Sequence, residues 1–230
     1  MKAENAWKRT MTANNDSILA FYKPKGMTSF EVVRRVRREL GLKKVGHAGT
    51  LDPLAEGLLI ILTGSKTKMM ESFLKMEKEY LATLRLGVTS RSHDLETEIV
   101  ERASEISFSE EELARVLSRF TGKIEQVPPD FSATWVDGKR AYHLARKGVE
   151  FELKPKPVVI SEISVESYTS PILKIRVVCS SGTYIRSLAR DIGDELGCGA
   201  VLVGLVRTRI GAYRAEDALK LEDMSVSCTA

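Results

Sequence analysis

The run Gly46-His47-Ala48-Gly49-Thr50-Leu51-Asp52-Pro53-Leu54-Ala55-Glu56-Gly57 constrains this chain more than any other stretch of it. Its glycines permit backbone angles closed to other residues, and Pro53 fixes its own φ and pushes Asp52 towards an extended conformation. The apolar run Leu58-Leu59-Ile60-Ile61-Leu62 follows at once and reads as a buried strand. Asp52 is therefore predicted on a stiffened loop anchored to a core element, an arrangement that presents one reactive carboxylate with little freedom to wander. An Asp before Pro in a Gly-rich loop also serves as a plain turn residue bonded to its own backbone. Local chemistry alone leaves both readings open.

Patterning along the rest of the chain gives strands and helices in mixed order. Ser17 to Tyr22 reads as a strand. Thr28 and Glu31 have capping-box spacing before a helix whose stripe is Val32, Val33, Val36 and Leu40, and Gly41 ends it. Thr67 to Met76 has helical spacing of Met and Phe, a stripe that reads as core. Lys78 to Gly87 alternates as a strand, and Ser109 to Phe120 is an amphipathic helix with its own capping box. Phe131 to Val136 with the Asp137-Gly138 turn suggests a hairpin or short arm. Val158 to Tyr168, Ile172 to Cys179 and Ala200 to Val206 read as strands, and Thr183 to Leu196 as a helix. Strands outnumber helices and several are joined by turns, which predicts an α+β fold with a mixed, mostly antiparallel sheet flanked by helices. We expect one catalytic domain over residues 17–225, carrying an inserted arm over 130–156 and preceded by a disordered tail over 1–16.

Composition narrows the class further. The three cysteines, Cys179, Cys198 and Cys228, are too scattered for a disulfide framework or a zinc site, which suits a reducing cytoplasm. No apolar run approaches the roughly 20 residues that span a bilayer. A net charge of +4 does not by itself diagnose a nucleic-acid partner, so distribution decides. Arg34, Arg35, Arg37, Arg38, Lys43 and Lys44 cluster immediately before the Asp52 loop, and a second basic segment, Arg140, Arg146, Lys147, Lys154 and Lys156, is interleaved with Tyr142 and His143. Either cluster is a solvated face or a surface for an anionic ligand.

The string GHAGTLDPLAEG resembles the active-site motif of the tRNA pseudouridine-55 synthases, and the resemblance runs in order from about Ser17 to Gly211. It implies the pseudouridine-synthase fold and an isomerase that acts on a uridine in the T loop of tRNA, with no cofactor, metal or membrane partner. It places the catalytic nucleophile, or a stabiliser of sugar charge, at Asp52. Ser181-Gly182-Thr183-Tyr184-Ile185-Arg186-Ser187-Leu188 is similar to a second family motif, in which the Arg pairs with the nucleophile. That role suits Arg186, whose fork can hold both carboxylate oxygens. Tyr80 matches the family's base-stacking Tyr, the candidate for late proton transfer. His47 matches a His that enters the T loop where the target base had been. Tyr184 and Leu188 match pocket positions, and Leu205 a backbone contact to the uracil edge. Lys23-Pro24-Lys25-Gly26 looks like the family's N-terminal motif, which buttresses the active-site loop, and Lys23 joins the candidate substrate-binding residues. Arg146 and Lys147 of the arm are candidates for the tRNA T stem-loop.

Two departures stand out. Phe131-Ser132-Ala133 replaces a Tyr-Ser-Ala motif, and Val206-Arg207 replaces paired arginines. Many family members also carry a C-terminal RNA-binding domain of PUA type, and the span after Gly211 is too short for one, so a short monomeric form is expected. Two other classes compete with this reading. A non-catalytic RNA-binding module would need the basic segments without Asp52 and Arg186. A metal-dependent nuclease would gather several carboxylates, whereas the loop supplies only Asp52 and Glu56.

Overall fold

The computed structural model describes residues 15–227. The tail expected over residues 1–16 lies, up to residue 14, outside the described residues, as does Cys228. The chain packs as two compact units. One is built from the chain up to Tyr80 together with the chain from Leu205, the other from Leu81–Gly204.

The first unit is organised around two strands, β1 (Ile18–Lys23) and β3 (Glu56–Thr63), paired antiparallel from Ile18 opposite Leu62 to Lys23 opposite Gly57. Strand β2 (Val45–Ala48) adds to β3 antiparallel, with His47 opposite Ile61. The far end of β12 (Ala200–Ile210) lies parallel to β3, with Val206 opposite Glu56 and Arg207 opposite Gly57. Short strands β13 (Tyr213–Arg214) and β14 (Leu219–Lys220) complete this part of the sheet. The apolar run after the Asp52 loop is a strand covered on both faces. Leu59 and Ile61 pack with Leu19, Phe21 and the valines of helix α1 (Ser29–Glu39), while Leu58, Ile60 and Leu62 pack with Phe73 and Ile210. A strand buried on both sides has no alternation to show, which is why it reads as a continuous apolar run.

Helix α1 forms as its sequence dictates. Thr28 accepts from the Glu31 amide at 3.1 Å and Glu31 accepts from the Thr28 amide at 2.7 Å. Val32, Val33 and Val36 are buried, each contributing about 1.5–3 kcal/mol of burial. Gly41, at φ +63°, closes the last turn in the left-handed conformation that an L side chain resists. The helix predicted over Thr67 to Met76 is split into a 3-10 segment (Gly64–Met69) and α2 (Met70–Lys75).

The second unit holds the long antiparallel pair β10 (Lys156–Thr169) and β11 (Ile172–Cys179), with β7 (Gly122–Gln126) on the other side of β10. Strand β4 (Lys78–Leu86) neighbours β11, and β5 (Val88–Ser90) pairs with β6 (Ile99–Glu101). Helix α3 (Glu110–Arg119) carries the capping box read from Ser109 and Glu112. The arm is a hairpin of β8 (Trp135–Val136) and β9 (Lys139–Arg140) around Asp137-Gly138, followed by α4 (Ala141–Arg146). Helix α5 (Ile185–Glu195) carries Arg186 in its first turn. Among the described residues most strand pairs are antiparallel, as the α+β reading requires. Among the described residues no helix is long and apolar enough to cross a membrane.

Candidate active site

In the first unit Asp52 sits, half-buried, at the start of a tight turn closed by the Ala55 amide donating to the Asp52 carbonyl at 3.0 Å. Pro53 occupies the second position of that turn, where its fixed φ is already correct. Three other segments hold the turn. The Gly26 amide donates to the Pro53 carbonyl at 2.8 Å. Ser29, at the start of α1, donates its hydroxyl to the Leu51 carbonyl at 3.1 Å and accepts from the Leu51 amide at 2.9 Å. Arg207, 1% exposed, donates to the Gly49 carbonyl at 3.0 Å and the Leu58 carbonyl at 2.8 Å, bracing both ends of the loop. Gly57 makes this possible. At φ +103° a Cβ there would lie 2.4 Å from the Arg207 carbonyl oxygen, so only glycine lets the two strands approach. Buried there, Arg207 acts as a brace of the loop.

Lys23, a candidate for binding substrate, is corrected by its position. It is 0% exposed, and its ammonium donates to the Met27 carbonyl at 2.6 Å and the Pro24 carbonyl at 3.1 Å. It braces its own turn and, being buried, presents nothing to a phosphate. Burial pushes its pKa down to about 8, against the opposing pull of the Asp52 and Glu56 carboxylates. His47 lies half-buried on β2. Its Nδ1 is buried with no hydrogen-bond partner among the described residues, and burial, then the Arg207 charge, lowers its pKa. Both effects favour the neutral ring. Tyr80 is half-buried on β4 and Leu205 half-buried on β12.

In the second unit Arg186 is 6% exposed and held by residues scattered through the sequence. It donates to the Ser92 carbonyl at 3.3 Å and the Phe131 carbonyl at 3.0 Å, and its Nε lies 3.6 Å from the Asp94 carboxylate. Asp94 is itself buried in a turn tied by Ser90, Ser92 and Thr97, with His93 at φ +60° inside it. The Asp94 carbonyl accepts from Ser90 at 2.7 Å, and its carboxylate accepts from the Glu96 amide at 2.9 Å. The Tyr184 backbone is gripped by the Gln126 side-chain amide, through hydrogen bonds of 2.8 and 3.2 Å. Leu188 is fully buried in the core of this unit, so its side chain packs the helix that carries Arg186 and is not open to RNA. Arg146 and Lys147 are exposed at the end of α4, Arg146 paired with Glu96 at 2.8 Å. Trp135 is exposed on the hairpin under the Arg140 guanidinium, 3.9 Å from the ring centre.

A family model described as TruB family pseudouridylate synthase (N terminal domain) matches residues 37–185, and one described as tRNA pseudouridylate synthase B C-terminal domain matches residues 186–229. The chain is 54% identical over 218 residues to a protein of Phocaeicola vulgatus named tRNA pseudouridine synthase B, covering 92% of this chain and 93% of that protein. The chain belongs to the TruB family of pseudouridylate synthases.

A relative of the same name from Clostridium kluyveri is 45% identical, covering 90% of this chain and 71% of its own. Among solved structures, a chain from a Cbf5-Nop10-Gar1 complex superposes with a TM-score of 0.72 at 29% identity, over 94% of this chain. A chain from an archaeal box H/ACA sRNP Nop10-Cbf5 complex gives 0.68 at 26% over 96%. The present chain spans about half of each, 54% and 56%. These matches establish the pseudouridine-synthase fold expected from the sequence.

At the Phe131 departure the backbone carbonyl is the acceptor for Arg186. Three contributors escaped the sequence reading: Asp94, Ser92 and Gln126. An Asp in a Ser-rich loop reads as a turn residue, and only the buried partner 92 residues further on gives it another meaning.

Proposed function

We propose that this protein is a cytoplasmic tRNA pseudouridine synthase that isomerises a uridine of the T loop, with Asp52 as nucleophile acting on a base turned out of the stack. The observation that carries the reading is the match over nearly the whole length of both chains to relatives named tRNA pseudouridine synthase B. In the reaction the bond from uracil N1 to ribose C1′ breaks, the base turns, and C5 bonds to C1′. A proton leaves C5 and N1 gains one, so the step is an isomerisation with no net redox change.

The braced turn suits Asp52 to this work. A carboxylate carried on a turn whose backbone is held by hydrogen bonds from other segments needs little reorganisation to reach the attacking geometry. Arg186 is assigned as the cation that keeps Asp52 ionised, and the Asp94 carboxylate as the group that orients Arg186. Tyr80 is assigned to stack on the target base and to move the proton late. A neutral His47 suits stacking in the place the base vacates, because no charge has to be desolvated. Tyr184 and Leu205 are assigned to the uracil pocket, and the exposed Arg146, Lys147 and Trp135 to the RNA.

Loss of the C5 proton supplies the test. Unmodified tRNA carrying tritium at C5 of its uridines is incubated with the protein. One tritium released per tRNA, with equal formation of pseudouridine, is the expected result. Full retention of tritium under conditions where the RNA binds contradicts the reading.

A further inference from the structure

The outward face of α1 has no part in bracing the Asp52 turn, and its chemistry points to RNA. Phe30, Arg34, Arg37 and Arg38 recur at helical spacing on the face opposite the buried valines, and all four are exposed. Phe30 is 60% exposed, with the Arg34 guanidinium 5.9 Å above its ring centre. Beside this ridge runs a groove of about 560 Å³ lined by Met27, Glu31, Arg34, Arg35, Arg37 and Arg38. Lys43 and Lys44 extend the exposed positive surface beyond the helix.

A merely solvated face would mix charges to support the helix. This one sets Arg34 three and four residues from Arg37 and Arg38, and such like-charge neighbours destabilise a helix by a few tenths of a kcal/mol each. Two carboxylates are close by. Glu31 is committed to the Thr28 cap and sits 3.8 Å from Arg34, and Glu39 pairs with Arg38 at 2.7 Å. Arginines in excess of acids, with an exposed aromatic ring among them, match the cation-plus-stacking chemistry of RNA surfaces.

Position specifies which part of the RNA. The first residue of α1, Ser29, is bonded to Leu51 beside Asp52. At about 1.5 Å of rise per residue, Arg34 to Arg38 lie some 7–14 Å along the axis from that anchor. We propose that this face is an RNA-backbone site that grips phosphates flanking the reacting nucleotide, with Phe30 as a stacking surface. The proposal rests on the tRNA reading and deepens it.

The test compares the full chain with a triple variant, Arg34→Gln with Arg37→Gln and Arg38→Gln, and with Phe30→Ala. Filter binding to an unmodified tRNA transcript is titrated between about 50 and 200 mM salt, where counterion release sets the slope. The triple variant should bind about tenfold or more weakly, with the slope of log affinity against log salt shallower by roughly two to three, near one for each phosphate no longer neutralised. Phe30→Ala should weaken binding with the slope unchanged. Relief of repulsion should leave the melting temperature of the triple variant as high as that of the parent, which separates a binding role from a structural one. Unchanged affinity and slope in the triple variant overturn the proposal. So does lost turnover at saturating RNA with affinity intact, which would mean that the face acts through the Asp52 turn. Binding is read apart from turnover, so a parent chain that binds tRNA without forming pseudouridine defeats the reaction reading and still decides this one.

Discussion

The Asp52 turn and the Arg186 site are built in opposite ways. Asp52 sits on a turn of glycines and one proline, next to the strand that anchors it, and other segments grip the backbone of that loop. Arg186 is held by side-chain and carbonyl partners at positions 92, 94 and 131, far away along the chain. The first is a local backbone turn that the fold braces, the second a buried side chain that only the fold supplies with partners. Conformational rules act locally and are written in neighbouring residues. A buried ion pair is written in two places that mean little apart.

The largest effect expected from this contrast is in chemistry. Asp52→Asn keeps the turn, the fold and the RNA surfaces but removes the nucleophile. Turnover should fall by more than about 4 kcal/mol of activation free energy, roughly a thousandfold, with tRNA affinity nearly unchanged. A single-turnover assay beside a binding titration reads this, and residual turnover within about tenfold of the parent breaks the assignment.

Asp94→Asn probes the other site. With the carboxylate gone, a guanidinium stays buried beside a neutral amide, and breaking one side of such a pair costs about 3–5 kcal/mol. Denaturant unfolding should show that loss, together with a fall in turnover. A variant as stable and active as the parent would mean that the Arg186 site does not depend on the Asp94 carboxylate.

Gly57→Ala asks how far the first site depends on backbone alone. The added Cβ meets the Arg207 carbonyl and the φ is unfavourable, so unfolding free energy should drop by about 2–3 kcal/mol. An unaffected midpoint would show that the strands can part without cost.

The arm gives a smaller effect. Arg146→Glu with Lys147→Glu should weaken tRNA binding and flatten its salt dependence by about one unit for each phosphate that the arm no longer neutralises. An unchanged slope removes the arm from the RNA surface.

The smallest effect is a pH dependence of stability. The Lys23 pKa is about 8 in the folded chain against 10.5 when free. Between those values the unfolded chain binds the extra proton, so the Lys23 contribution to stability rises with pH across the window and is lost as pH falls through 8. Subtracting the curve of Lys23→Met from that of the parent should leave a difference that climbs from pH 8 to 10.5. A flat difference would mean that Lys23 keeps its proton as readily when buried.

Legibility followed the same divide. Both capping boxes, the buried strand after Asp52 and the β10–β11 pair could be read from residues, because each has a local period or a local cap. Strand β2 escaped, since four residues with two polar or glycine positions carry no alternation. Strand β7 escaped for the same reason. At the site, Asp52 was legible because its turn chemistry surrounds it. Arg207 was visible only within the Val206-Arg207 departure from paired arginines, and its burial depends on pairing with a parallel strand about 150 residues away. Lys23 and Leu188 were assigned to substrate from motif position, yet burial turns one into a brace and the other into core. Motif position says that a residue matters, and burial says what it can touch.

Asp52 on its braced turn as the reaction centre of a tRNA pseudouridine synthase is open to one direct measurement. An unmodified tRNA transcript is incubated with the parent chain and with Asp52→Asn, and pseudouridine is mapped chemically at single-nucleotide resolution. The expected result is one modified position, a uridine of the T loop, with the parent, and none with the variant. Modification elsewhere in the transcript, or the same T-loop signal from the variant, would contradict it.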